Sequence, residues 1–228
     1  MDRSAISSAI RAVITCDVKE SRSFDAAEWR VLQGTIKEAL ADVNHCFRAV
    51  LLREFSITLD DEFQGVLTSP ELSYAVVIQL QDRIPVEFWC GIGIGTIELL
   101  APEITEMRGE AFFRSRAALE RAKKAGCAIL MQSSDAENDL RDDTVNTLLG
   151  LISTIRSRWS ARQKEVVRYY RAHEQPTHSD IARDLGVTQQ AISKILTAAH
   201  LSIVRKGEQI VQRLLNELGT SQAEGNGH

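Results

Sequence analysis

Residues 178–196 read HSDIARDLGVTQQAISKIL, and this stretch decides how the C-terminal part of the chain folds. Ala182 is small where two helices must cross. Gly186 follows Leu185, where the first helix has to stop and φ can turn positive. Val187, Ile192 and Ile195 then fall on the buried side of a second helix. Thr188, Gln189, Gln190, Ser193, Lys194 and Thr197 are left facing outward. Short hydroxyl and amide side chains on one helical face can read base edges in a major groove. The pattern predicts a helix-turn-helix with its second helix over 188–199 and with double-stranded DNA as partner. Gln189, Gln190 and Ser193 are the expected base contacts, with Thr188, Lys194 and Arg183 on phosphates. The same spacing also serves plain helical hairpins and protein contacts, which is the reading to beat.

Working upstream, Trp159-Ser160-Ala161-Arg162-Gln163 opens a helix with Ser160 as N-cap and Gln163 three residues on, a capping box. Thr177, after Pro176, is placed to cap the first helix of the pair. The segment WSARQKEVVRYY followed by the 178–196 pattern resembles the C-terminal promoter-reading module of bacterial sigma factors and response regulators.

The distribution of charge agrees with this division. The net charge is −4 over 228 residues. Residues 1–155 hold 16 Lys and Arg against 24 Asp and Glu, whereas residues 156–213 hold 11 against 5. The cationic surplus thus lies on the segment expected to meet phosphates. No apolar run approaches the length of a membrane helix, and Met1-Asp2-Arg3-Ser4 lacks the pattern of a secretory leader, so a cytoplasmic protein with no membrane partner is expected. Cys16, Cys46, Cys90 and Cys127 form no CxxC pair. Three of them sit in apolar strand-like runs and read as small buried thiols rather than zinc ligands or disulfides.

Nearer the N-terminus, Arg11–Val18 is a short β-branched run read as a buried strand, and Phe24–Phe47 has helical spacing. Residues 50–59 and 62–67 read as strands joined by a tight turn at Asp60-Asp61. Ser69 as N-cap and Pro70 at the first position predict a helix running to about Asp82. Residues 86–97 form another strand, whose glycines predict close backbone packing or a bulge. A helix over 109–125, a strand over 127–132, a connector helix over 144–158 and a last helix over 201–218 complete the order. The expected fold is α+β: a ferredoxin-like or nucleotide-cyclase-like mixed sheet covered by helices, followed by an all-α helix-turn-helix domain. The expected domains are 8–135, a connector 136–158, the DNA-binding domain 159–218 and a disordered tail 219–228.

Three pieces carry a further resemblance: Ile14-Thr15-Cys16-Asp17-Val18, Thr58-Leu59-Asp60-Asp61-Glu62-Phe63, and Cys90-Gly91-Ile92-Gly93-Ile94-Gly95. With Met107–Phe113 beside them, they resemble the catalytic domain of class III nucleotide cyclases and of the GGDEF diguanylate cyclases. Closer still, TCDVKESR, SITLDDEFQGVL, GIGIG, GEAFFRSRAALERAKK and LLGLISTIRSRWSARQKEVV resemble the SatD family over nearly the whole chain. The cyclase resemblance implies a homodimer and carboxylates that hold Mg²⁺ against a nucleotide. The metal candidates are Asp17, Asp61 and Glu62, and the phosphate candidates are Lys19, Ser21 and Arg22.

The departures from the cyclase pattern weigh against turnover. Where that pattern implies an Asn and, four residues on, an Arg to stabilise charge on the transferring phosphate, the chain has Phe113 and Ala117. The place of a base-selecting Lys holds Ile57, and both glycines of GGDEF are replaced, by Leu59 and Asp60. Losing one such donor costs on the order of 3 kcal/mol of transition-state stabilisation. Arg114 and Arg116 are the nearby substitutes. The expectation is a non-enzymatic, DNA-binding transcriptional regulator with no catalytic residue, whose degraded cyclase-like domain dimerises and is open to sensing a nucleotide or a metal. The competing readings are an active cyclase using Asp17, Asp61 and Mg²⁺, and a sigma-like partner of RNA polymerase.

Overall fold

The computed structural model describes residues 9–136, 139–173 and 176–220. These residues fold as five strands and eight α-helices, in the order β1 (Arg11–Val18), α1 (Ala26–Phe47), β2 (Leu51–Leu59), β3 (Glu62–Leu67), α2 (Ser73–Arg83), β4 (Phe88–Gly95), α3 (Glu110–Ala125), β5 (Ile129–Gln132), α4 (Leu140–Ser157), α5 (Ala161–Ala172), α6 (His178–Asp184), α7 (Gln189–Ala198) and α8 (Leu201–Thr220). The chain divides into two compact units. One takes the residues up to 149 together with those from 211 on, and the other takes residues 150–210. The divisions fall inside α4 and α8, not in a linker. Gly219 and Thr220, placed by the sequence reading in a tail, extend α8, and the remaining tail residues lie outside the described ones.

In the first unit the strands lie in the order β2-β3-β1-β4-β5. β1 runs antiparallel to both β3 and β4, and β5 joins β4 in parallel, so the sheet is mixed, as expected. β1 is central and its residues from Ala12 to Cys16 are all buried, which is why its apolar run does not alternate with polar residues. Ile14 faces Ile92 and Cys16 faces Cys90 across β1 and β4.

The opposite face is set by glycine. A Cβ on Gly91 or Gly93 would lie 2.1 Å from the backbone oxygen of Ser115 or Ala111 in α3. The GIGIG run therefore lets α3 lie directly on the strand, as its spacing suggested. Gly109 stands just ahead of α3 with φ 151°, where a side chain would strike the Thr96 and Ile97 backbone.

Both edges of the sheet are closed by an asparagine. Asn44 of α1 accepts from the Phe55 N–H (2.7 Å) and donates to its carbonyl (3.0 Å) on β2. Asn146 of α4 does the same for Met131 on β5, at 2.7 and 2.8 Å. Each amide takes the place of one residue of a neighbouring strand and blunts the edge for pairing.

One helix start departs from the expectation. α2 begins at Ser73, and Ser69 does not cap it. Pro70 instead closes a turn, its carbonyl accepting from the Ser73 N–H (3.0 Å) and hydroxyl (2.7 Å). α1 carries a capping box at Asp25 and Glu28.

In the second unit the expected caps are all present. Ser160 and Gln163 form a capping box on α5, and Thr177 and Asp180 form one on α6. α6 stops at Gly186, with φ 65°, and Thr188 caps α7 by accepting from the Ala191 N–H at 3.2 Å. Ile181, Ala182, Ile192, Leu196 and Ala199 are buried together with Val166 and Val167 of α5. The Trp159 indole N–H donates to the Ala199 carbonyl at 2.9 Å, tying the approach to α5 to the end of α7.

Candidate functional site

Two polar constellations stand out, one in each unit. In the first unit β1 and β3 bring Asp17 directly opposite Glu62, and the Asp61 carbonyl accepts from the Val18 N–H at 3.0 Å. The three acids singled out in the sequence thus lie at one end of the sheet. Their side chains, however, already have partners. Asp17 meets Lys123 Nζ at 3.0 Å, and Glu62, 3% exposed, is clamped by both terminal nitrogens of Arg116 and by the Thr58 hydroxyl (3.2 Å). Asp61 accepts from the Ser21 hydroxyl at 2.6 Å. Burial pushes the Asp17 carboxyl above its ordinary value of 3.8, with Asp61 and Glu62 adding to the shift and Lys123 opposing it. Lys123 in turn is raised by Asp17 despite the opposing desolvation.

Between these pairs the Thr15 and Ser115 hydroxyls lie 3.0 Å apart, and Gln64 donates to Thr15 at 2.7 Å. α3 and the sheet are therefore joined by a polar ladder in which every group is paired. A buried polar network of this kind stabilises only when each member is satisfied.

The residues expected to hold phosphate are only partly available. Lys19 pairs with Glu87 at 2.9 Å and lies 3.8 Å from the centre of the Trp89 ring. Its backbone N–H goes to the Glu87 carbonyl. Ser21 is engaged with Asp61, and Arg22 is exposed on a short 3₁₀ turn. Of the two arginines offered as substitutes, Arg116 is taken by Glu62. Arg114 is held by Asp135 (2.7 Å) and by the Ile94 carbonyl (2.9 Å), and its Asp135 partner raises its guanidinium further. Phe113 and Ala117 are both exposed on α3. An open cleft of about 660 Å³ runs beside Asp60 and Asp61, lined also by Gln33, Lys37 and Ile57. Among the described residues no group of three His, Cys, Asp or Glu is arranged to hold a metal ion.

In the second unit Thr188, Gln189, Gln190, Ser193, Lys194 and Thr197 are all exposed, on the side of α7 away from its buried Ile192 and Leu196. Among the described residues the side chains of Gln189, Gln190, Ser193, Lys194 and Thr197 form no hydrogen bond or ion pair within the chain. Arg183 is different. It is exposed but bonded to Asp184 (3.1 Å) and Asp180 (3.2 Å), and Tyr169 donates to the same Asp184. The Tyr169 hydroxyl and Arg183 hold Asp184 below its ordinary value, so the cluster sets two carboxylates against the one guanidinium of Arg183.

Sequence reading found these acids and this helical face but missed Lys123. Its signal was present: Arg116 and Lys123 stand seven residues apart, two turns along α3, flanking the buried Ser115, Leu119 and Ala122.

The fold and the two constellations define a chain in which an α+β unit built on a five-stranded mixed sheet accompanies a separate helical unit. The chain belongs to the SatD family, whose model matches residues 12–215. Among solved structures it is similar to one described as the structure of a bacterial light-regulated adenylyl cyclase, at 9% identity and a TM-score of 0.43. That similarity covers 54% of this chain and 75% of the other. No curated protein matches it. No helix among the described residues is long and apolar enough to cross a membrane.

Proposed function

We propose that this chain is a cytoplasmic DNA-binding transcriptional regulator, with α6 and α7 acting as a helix-turn-helix. The observation that carries the reading is the face of α7. Its amide, hydroxyl and ammonium groups are exposed and have no partner among the described residues, while Ile192 and Leu196 on the other side of the helix are buried. Unpaired donors and acceptors on a narrow helix match the edge pattern of a major groove. The cationic surplus of residues 156–213 supports phosphate attraction around it. Gln189, Gln190 and Ser193 read bases, and Thr188, Lys194 and Thr197 lie along the backbone. Arg183, held by two aspartates, contributes less than its charge suggests.

In this reading the sheet unit is a non-catalytic homodimerisation element, open to regulation by a nucleotide. Phe113 and Ala117 in place of charge-stabilising donors, and the engagement of Arg114 and Arg116 elsewhere, support the absence of turnover. A two-fold dimer would read a palindromic site with half-sites whole helical turns apart.

The test is selection from a random duplex library with the purified full chain, repeated with nucleotides present. Enrichment of one palindromic site supports the reading. Recovery of unenriched sequence at physiological salt overturns it. Conversion of ATP or GTP in the presence of Mg²⁺, abolished by Asp61→Ala, would establish the enzyme instead.

A further inference from the structure

We infer that α3 supplies the acidic end of the sheet with its own counterions, Lys123 and Arg116, and thereby closes Asp17, Asp61 and Glu62 to divalent cations. The cyclase resemblance implies a metal here, and the donor set does not fit one. Mg²⁺ and Ca²⁺ require six or more oxygen ligands, of which carboxylates usually supply the charge. Both Glu62 oxygens are taken by Arg116, one Asp17 oxygen by Lys123 and one Asp61 oxygen by Ser21. A cation entering beside Asp17 would sit next to a fixed ammonium, whose repulsion opposes the attraction of the acids. A third cation, Lys19, lies on the Trp89 ring, and Trp89 is the register partner of Asp17 on β4.

The counterions cannot swing away with their helix. α3 is seated on Gly91 and Gly93 with no room for even a methyl group, and Thr15 meets Ser115 at its centre. Lys123 and Arg116 are therefore delivered to the acids by the packing of the backbone. The acids serve as anchors for α3, where the resemblance would have them serve a metal. This inference concerns the sheet unit alone and stands whether or not α7 reads DNA.

The test is a Mn²⁺ titration of the full chain followed by electron paramagnetic resonance of the free ion. It compares wild type, Asp17→Asn, Lys123→Met and the Lys123→Met, Asp17→Asn double variant, with folding checked by circular dichroism. Wild type is expected to show no saturable binding. Lys123→Met should show saturable Mn²⁺ binding, at least about tenfold tighter than the upper limit set by wild type, once the nearby ammonium is gone. The double variant should lose that gain. Should Lys123→Met fail to fold, Lys123→Gln, which removes the charge but keeps a polar side chain, takes its place. Saturable wild-type binding that Asp17→Asn removes would overturn the inference. So would a folded Lys123 variant that binds no better than wild type.

Discussion

The strand-end acids and the face of α7 are the two places where this sequence puts unusual polar chemistry, and the fold treats them in opposite ways. At the acids, each carboxylate has a partner within its own unit, and the helix carrying two of those partners is locked down by glycine contacts. Along α7 the polar side chains have no partner among the described residues, on a helix that buries Ile192 and Leu196 on its other side. Buried charge is costly unless paired, and here the sheet unit supplies the counterions itself. Exposed polar groups carry no such cost and remain available to another molecule. The contrast separates acids that are already committed within the fold from a helical face that is left open to another molecule.

The largest expected effect tests how tightly the first of these regions is held. Gly93→Ala forces a methyl into the Ala111 carbonyl and should lower unfolding free energy by about 3 kcal/mol or more in a urea titration. Arg116→Met should cost about 2–3 kcal/mol, because it strands the Glu62 carboxylate, and adding Glu62→Met should restore most of the loss. On α7 the expectation reverses. Gln190→Ala should leave stability within about 0.5 kcal/mol, as for other exposed positions. Its cost should appear instead as about 1–3 kcal/mol of lost discrimination between duplexes in competition binding. Lys194→Ala should weaken all duplexes alike and reduce the salt slope by about 1, whereas Arg183→Ala should reduce it less.

The smallest effect is one of pH. Because burial raises the Asp17 carboxyl, the folded protein holds that proton more tightly than the unfolded chain does. Its ionisation therefore takes away stability as pH rises from the ordinary 3.8 through the folded value. Urea titrations across this window should show the stability of Asp17→Asn gaining on wild type as pH increases. A stability difference that stays constant, or that moves in favour of wild type as pH rises, would remove the burial explanation.

What could be read in the sequence was local. Ser160 with Gln163, Thr177 and the glycine at 186 specify helix ends within four residues of themselves, and the structure has all of them. The GIGIG spacing worked because a glycine in a strand has few reasons to be there beyond close approach. Ser69-Pro70 misled because the same pair opens a helix or a turn, and the Pro70 carbonyl settles it by accepting twice from Ser73. The candidate acids were legible as positions but not as chemistry. Asp17 finds Lys123 106 residues away and Glu62 finds Arg116 54 residues away, distances at which no spacing rule acts. The edge caps at Asn44 and Asn146 were invisible for the same reason.

The central question is whether a duplex satisfies the exposed polar face of α7. Equilibrium binding of the full chain to fluorescent duplexes, followed by anisotropy across a range of salt, tests this most directly. It predicts one preferred sequence, an affinity that falls steeply with added salt, and a preference that Gln190→Ala erases while Lys194→Ala keeps it. Equal binding to every duplex by wild type and both variants, or no binding at physiological ionic strength, would contradict it.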